Sequence, residues 1–286
     1  EIGSGLVGSE MCIRDSFYLD NINFELPKGY IIGYIGPNGS GKTTTIKLIT
    51  DQYLPDSGTI YINGKKLSDS EKDYRNSIGY IADDFYFPDF FKIHTIKKIL
   101  KDFYPTFDPL SFDEYISLWK LPCNQNVGTF SKGMKVRLMF ACVLSRKPEI
   151  LILDEATNGL DPVVRTEILQ ILKDYIKDGE HSVLFSTHIL SELDNIADYI
   201  YMILDGKCTL MGTNDELLDN FILITGSIQH QDFFKKKCVS FIQKDNYLEG
   251  LVRSDNIDFL PNNLSFKRPT LEQILLYHSK EDTYCE

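Results

Sequence analysis

A chain of 286 residues fits one large domain or two modest ones, and an apolar share of 43% is ordinary for a globular protein with a sizeable core. Its 30 Lys and Arg against 41 Asp and Glu give a formal charge of −11, which argues against nonspecific binding to nucleic acid or to an anionic membrane surface. The longest apolar runs, Leu138–Leu144 and Tyr199–Leu204, are far shorter than the roughly 18 residues of a spanning helix, so any membrane crossing is expected of another chain.

The opening residues 1–16, EIGSGLVGSEMCIRDS, carry neither strand alternation nor helical periodicity, and no basic segment leading into an apolar core. They resemble adapter DNA translated in frame. They are expected to be a non-native or disordered terminus, and the fold is read from residue 17. FYLDNINFEL alternates like a half-buried strand, PKG turns, and YIIGYIG continues as an apolar strand. A glycine-rich loop and a helix from about Lys42 to Thr50 follow. GTIYINGKKL reads as a strand and turn marked by Asn63-Gly64, and SIGYIADD as another strand.

Over residues 85–147 the strand signals give way to helical patterns, HTIKKILKDFY, SFDEYISLWKL and GMKVRLMFACVL. This reads as a helical insertion in an α/β core. The apolar run Ile150–Leu153 suits a central parallel strand covered on both faces. DPVVRTEILQILKDYIKDG is an amphipathic helix with Pro162 at its start and Gly179 at its end. SVLFSTH reads as a buried strand, SELDNIADYI as a helix, and YMILDGKCTLMGT as a hairpin turning at Asp205-Gly206. The predicted units are thus 17–218, holding the α/β core, and an accessory region 219–286. The latter mixes strand-like CVSFIQ and LEGLVR with a final helix, RPTLEQILLYHS. Six scattered cysteines without a CxxC pair read as free thiols of a reducing cytosol.

Gly36-Pro37-Asn38-Gly39-Ser40-Gly41-Lys42-Thr43 matches G-x-x-x-x-G-K-[ST] at every fixed position, between a strand and a helix as that motif demands. Glycines let the backbone wrap phosphate oxygens, the amides point inward, and the helix adds its positive end. Lys42 brings a cation to the outer phosphates, Thr43 a hydroxyl for Mg²⁺, and Thr44 continues the grip. Asp154 closes the apolar run at a strand's C-terminal end, the usual ligand crevice of an open α/β sheet, where a carboxylate can hold Mg²⁺. Glu155 is placed to polarise an attacking water as a general base. His188, at the end of the next apolar strand, can contact the γ-phosphate or orient the water. These residues together describe an Mg-nucleotide hydrolase.

FSKGMKVRL, from Phe130 to Leu138, lies between the two phosphate motifs, and there the sequence resembles the ATP-binding cassette family. That family carries a signature close to L-S-G-G-Q; Ser131 and Gly133 match it, while Phe130, Lys132 and Met134 depart. DEATNGLDP, with Asp161 in its key place, and STH, with His188, continue the likeness in the family's order over about Phe17–Leu218. The resemblance implies a P-loop NTPase: a RecA-like parallel sheet, an antiparallel β subdomain, and an inserted helical subdomain at about 85–147, followed by a small α+β tail. It implies an ATPase using ATP and Mg²⁺. Each ATP would lie between the phosphate loop of one copy and Ser131 and Gly133 of a second or paralogous copy. The work would pass to a separate transmembrane subunit, at the cytoplasmic face of the membrane. The departures at Lys132 and Met134 look like the branch that serves separate exporter subunits.

Two further departures are visible. Asp83 stands where the family has a Gln that touches Mg²⁺; its carboxylate can still hold the metal but adds negative charge near the γ-phosphate, so weaker ATP binding or altered coupling is expected rather than loss of hydrolysis. The resemblance implies an adenine-stacking aromatic near Arg14, so either Phe17 or Tyr18 substitutes for it or the stacking partner is missing. The aromatic stretch FYFPDFF after Asp84 reads equally as a docking surface for the membrane subunit or as a core cluster. A soluble cassette protein acting on ribosomes or DNA is the alternative, disfavoured by the single cassette and the acidic charge. A kinase or GTPase would lack FSKGM and STH, and the guanine-reading N-K-x-D is missing.

Overall fold

The structure is a computed structural model that describes residues 5–13, 17–62, 64–66, 69–255 and 263–279. Gly5–Ile13 (β1) lies between Phe17–Glu25 (β2) and Ser57–Ile62 (β4) in an antiparallel sheet, with Lys65–Lys66 (β5) at the far edge. Part of the terminus left out of the sequence-based fold therefore joins two predicted strands. Gly5 pairs with Glu25, Ile13 with Phe17, and Leu6 with Ile60. Register shifts between Leu6 and Ser9 and between Ser9 and Met11 break the period of two by which alternation is recognised. Residues 1–4 and 14–16, Arg14 among them, lie outside the described residues, as do Asn63 and Cys285.

Five parallel strands make the second sheet: Ile31–Ile35 (β3), Ile78–Ala82 (β6), Ile150–Asp154 (β7), Ser182–Ser186 (β8) and Tyr199–Leu204 (β9). Lys207–Thr213 (β10) adds an antiparallel edge, giving the order β10-β9-β3-β8-β7-β6. The β9–β10 turn, Asp205-Gly206, has φ of 44° and 77°, the doubly left-handed geometry that tight hairpins favour. β3, β7 and β8 are buried at every position, as their unbroken apolar runs require. Leu151, Ile152 and Leu153 are fully buried, each contributing about 2 kcal/mol of apolar burial.

Helices cover both faces. On one, Lys42–Ile49 (α1) packs Ile46 with Leu19 and Ile22 of β2 against Ile32, Ile152 and Leu184. Glu71–Ser77 (α2) precedes β6 on the same side, burying Tyr74. On the other face lie three helices inserted between β6 and β7: Ile93–Phe103 (α3), Pro109–Leu118 (α4) and Lys132–Leu144 (α5). Their Ile96, Phe112 and Phe140 join a core with Leu153, Phe185 and Ile168, the last from Pro162–Tyr175 (α6). α3 buries Ile93, Ile96 and Leu100, the spacing of one helical face.

The helix expected over SELDNIADYI is confined to Leu190–Leu193 (α7). Tyr199 and Ile200 already belong to β9, where they pair with Ile32 and Gly33. The Asp198 carboxylate accepts a 2.8 Å hydrogen bond from the Ile31 amide, so tertiary pairing overrides the local helical pattern.

After Asn214–Asp219 (α8), a third sheet holds Phe221–Gly226 (β11), Ser240–Gln243 (β12), Leu248–Arg253 (β13) and Ser265–Lys267 (β14), with Gln231–Lys237 (α9) and Leu271–His278 (α10). Leu271 is buried in the main core and Leu275 packs against it, so this region rests on the core of the six-stranded sheet. Cys123, Cys142, Cys208 and Cys238 are free thiols. Among the described residues, no helix is long and apolar enough to cross a membrane.

Candidate active site

Parallel β3, β6, β7 and β8 deliver their C-terminal ends to one edge of the sheet, and a cavity of about 900 Å³ opens there. Asn38, Gly39, Gly41, Lys42, Thr43 and Thr44 of the phosphate loop line it, together with Asp83, Asp154, Glu155 and His188. Gly41 has a φ of 110°, which excludes ordinary side chains, and a Cβ on Gly36 would sit 2.3 Å from the Ile203 carbonyl oxygen. The loop is therefore bent and packed in a way that only glycine permits at these two points.

Lys42 is 5% exposed, and its Nζ donates to the carbonyl oxygens of Gly36 at 2.7 Å and Pro37 at 3.0 Å. Burial pushes its pKa down, against the upward pull of the Glu155 and Asp154 charges. Asp154, at the end of β7, is 6% exposed, and its Oδ1 is buried without a hydrogen-bond partner. Burial raises its pKa, opposed first by a hydrogen bond with Thr43. A hydroxyl beside an unsatisfied carboxylate oxygen is a donor set suited to a hard cation such as Mg²⁺. The described residues hold no cluster of three metal-ligating side chains, but Mg²⁺ needs only one or two carboxylates when phosphates and water complete its shell. Asp83, Asp84, Asp154 and Glu155 outnumber Lys42 and Lys47 in the cavity wall, so a polyphosphate entering it needs a cation of its own.

Glu155 stands in the left-handed region, at φ 55°, with its amide bonded to the Ser186 carbonyl at 3.0 Å. That conformation turns its carboxylate toward the Nδ1 of His188, with which it makes a hydrogen bond. The two residues proposed for water activation thus meet, although 33 positions separate them.

Ser131, Gly133 and Asp161 are not in this cavity. Ser131 caps α5, its hydroxyl accepting from the Met134 amide, and Asp161 caps α6, its carboxylate accepting from Val163 and Val164. A Cβ on Gly133 would come within 3.3 Å of the Val164 side chain, so the starts of α5 and α6 form one surface. The residue between, Lys132, reaches Asp83 with a 2.6 Å ion pair. Sequence reasoning did not foresee this pair, nor Tyr80, Asp84 and Asn158 in the cavity wall. Of the adenine-stacking candidates, Tyr18 is 63% exposed and does not line the cavity, and the side chain of Phe17 is outside the description.

Comparison with known proteins agrees with this architecture. The family model "ABC transporter" matches residues 19–158. The chain is 36% identical over 219 residues to the lantibiotic transport ATP-binding protein SrtF of Streptococcus pyogenes, covering 72% of this chain and 91% of that protein. It is 31% identical over 206 residues to the ABC transporter ATP-binding protein YtrB of Bacillus subtilis, covering 72% of this chain and 70% of that protein. A solved ATP-binding subunit of an ABC transporter superposes with a TM-score of 0.69 at 25% identity, over 74% of this chain and 90% of the other.

Proposed function

The chain belongs to the ABC transporter family as an ATP-hydrolysing, ATP-binding subunit, and from that premise we propose that it works as one of two facing copies that close on Mg-ATP. The observation that carries this reading is the division of the site. The phosphate loop, Asp154, Glu155 and His188 share a cavity, whereas Ser131 and Gly133 face outward at the start of a 13-residue helix. A helix start favours a phosphate through its dipole and its first-turn amides, and this chain's own cavity does not include Ser131 or Gly133. A second copy supplies the nucleotide that completes it. ATP binding then stabilises only the closed pair, and hydrolysis releases it.

Within the cavity Lys42 grips the outer phosphates, and Thr43 with Asp154 would hold Mg²⁺. When bound, the metal neutralises phosphate charge. Glu155 takes the proton of the attacking water, and His188, held by Glu155, keeps that carboxylate oriented. The test uses the full chain with turnover blocked by Glu155→Gln. It is expected to sediment as a dimer in saturating Mg-ATP and as a monomer in Mg-ADP; a monomer in both overturns the reading.

Asp83 enters this scheme as a metal contact that Lys132 already occupies. Both side chains are more than a third exposed, so their pair adds little stability, about 0–1 kcal/mol. Its consequence lies in the site: Mg²⁺ and Lys132 compete for one carboxylate. Asp83→Gln is expected to shift the Mg²⁺ concentration for half-maximal turnover several-fold, by roughly the 1 kcal/mol of one exposed charge contact. An unchanged Mg²⁺ dependence and rate removes Asp83 from the metal site.

The partner is a separate membrane subunit, engaged at the cytoplasmic face, and the likeness to a lantibiotic transport protein favours export. Its docking place is a groove of about 870 Å³ between the inserted helices and the core, walled by Tyr86, Phe87, Phe103, Tyr104 and Arg146. The aromatic stretch divides its roles. Phe85, Phe87 and Phe91 pack on the core, while Tyr86 and Phe90 are 50% and 73% exposed. Phe103, 74% exposed at the groove, has no structural reason to be aromatic. Phe103→Asp is expected to release the membrane subunit in co-purification without changing the melting temperature. Retention of the partner excludes this face.

A further inference from the structure

Glu192 of α7 is 3% exposed and lies outside every residue assigned to ATP above. One of its carboxylate oxygens, Oε2, accepts hydrogen bonds from two buried hydroxyls, Thr157 Oγ1 at 2.9 Å and Thr187 Oγ1 at 3.0 Å. Thr157 is two residues beyond Glu155, and Thr187 immediately precedes His188. The other oxygen, Oε1, lies 3.0 Å from Nε of Arg165, whose Nη2 donates to the Leu160 carbonyl beside Asp161. Thr187 Oγ1 in turn accepts from the amide of Ile189, so the hydroxyl brackets His188 on both sides. One buried carboxylate thus gathers three pieces of chain: the loop after β7, the loop after β8, and the turn into α6.

We propose that Glu192 is a positioning residue for ATP hydrolysis, its buried carboxylate holding the Glu155 and His188 loops in the mutual register that their hydrogen bond needs. Stability alone gives little reason to place a charge here, because a carboxylate and a guanidinium taken out of water together gain little net free energy. Register is a different matter. Glu155 sits in a left-handed conformation that its own backbone does not favour, and the loop bearing it leaves the sheet immediately afterwards. Hydroxyls converging on one oxygen fix both loops at a single point, and a displacement of about 1 Å is enough to cost on the order of 100-fold in rate. This rests on the proposed roles of Glu155 and His188.

The test measures steady-state ATPase kinetics, Mg-ATP affinity and melting of the full chain carrying Glu192→Gln. The amide keeps the volume and one acceptor but loses the charge that holds Arg165. The expected result is a fall in kcat of about 10-fold or more, with KM and the dissociation constant of Mg-ATP within about 2-fold and the melting temperature unchanged. An unchanged kcat, or equal losses in rate, affinity and melting, overturns the proposal. Thr157→Val and Thr187→Val each remove one spoke without altering side-chain shape. Both are expected to lower kcat alone, and their effects are expected to be less than additive with Glu192→Gln. Full additivity, or full activity in both threonine variants, overturns it even if Glu192→Gln fails to fold. Glu155→Gln measured alongside separates the two readings. If that variant is inactive while Glu192→Gln is fully active, only the positioning role falls; if Glu155→Gln is itself fully active, the catalytic reading falls first.

Discussion

Lys42→Ala is expected to weaken Mg-ATP binding about 100-fold while the chain stays folded. The ammonium is buried and ties the loop by its bonds to Gly36 and Pro37. These carbonyl acceptors are neutral, and an arriving phosphate oxygen is not, so the same Nζ makes stronger, charge-assisted bonds once nucleotide binds. A hydrogen bond to a charged group contributes about 3 kcal/mol at the upper end, which is roughly 100-fold in affinity. The cavity also carries more carboxylates than cations, and losing Lys42 removes a positive charge from the few that oppose them. Lys42→Arg is not expected to restore binding, because a planar fork does not fit a buried space shaped for a compact ammonium. Calorimetric titration with Mg-ATP, beside a thermal melt, decides the matter. Unchanged affinity in a folded variant means that the loop does not hold the phosphates.

Legibility in the sequence follows the range of the interaction. The phosphate loop is a contiguous stretch whose glycines announce their backbone geometry; Asn38, Gly39, Gly41, Lys42, Thr43 and Thr44 line the cavity, while Gly36, Pro37 and Ser40 lie outside that wall. Asp154 and Glu155 are legible because four apolar residues force β7 into the sheet and leave the acids at its edge. β1 was hidden because bulges erase the period of two, and α7 was overextended because Asp198 fastens the chain to β3. The contacts that give the site its particular character lie further apart. Asp83 meets Lys132 across 49 positions and Glu192 meets Thr157 across 35. Neither pairing leaves a local pattern, and each could only be seen once the sheet had brought its loops together. The same physics explains why Asp83 read as a free metal contact: a lone acid on a strand end carries no sign of the lysine that will reach it.

Glu155→Gln is expected to lower kcat about 100- to 1,000-fold, within the range of a positioned general base, and to leave Mg-ATP binding intact or tighter. The sign of the second effect follows from charge. Glu155 is one of four carboxylates around a cavity that must accept a polyphosphate, so neutralising it removes repulsion and takes nothing from Lys42 or Asp154. The backbone has no reason to change, since Gln meets the left-handed conformation at this position no worse than Glu does. Nor is the contact with His188 lost, because the amide oxygen still accepts from Nδ1 when that nitrogen carries its hydrogen. What disappears is the capacity to take a proton from water. A variant that binds ATP as well as its parent but turns over hundreds of times more slowly therefore isolates proton transfer from binding. His188→Ala supplies the counterpart. If the imidazole acts through Glu155, its removal lowers kcat too, and the double variant is scarcely slower than Glu155→Gln alone, as for residues that work as a unit. Independent, multiplying losses would instead place His188 on the phosphate rather than on the base, and full activity in Glu155→Gln would move the base elsewhere.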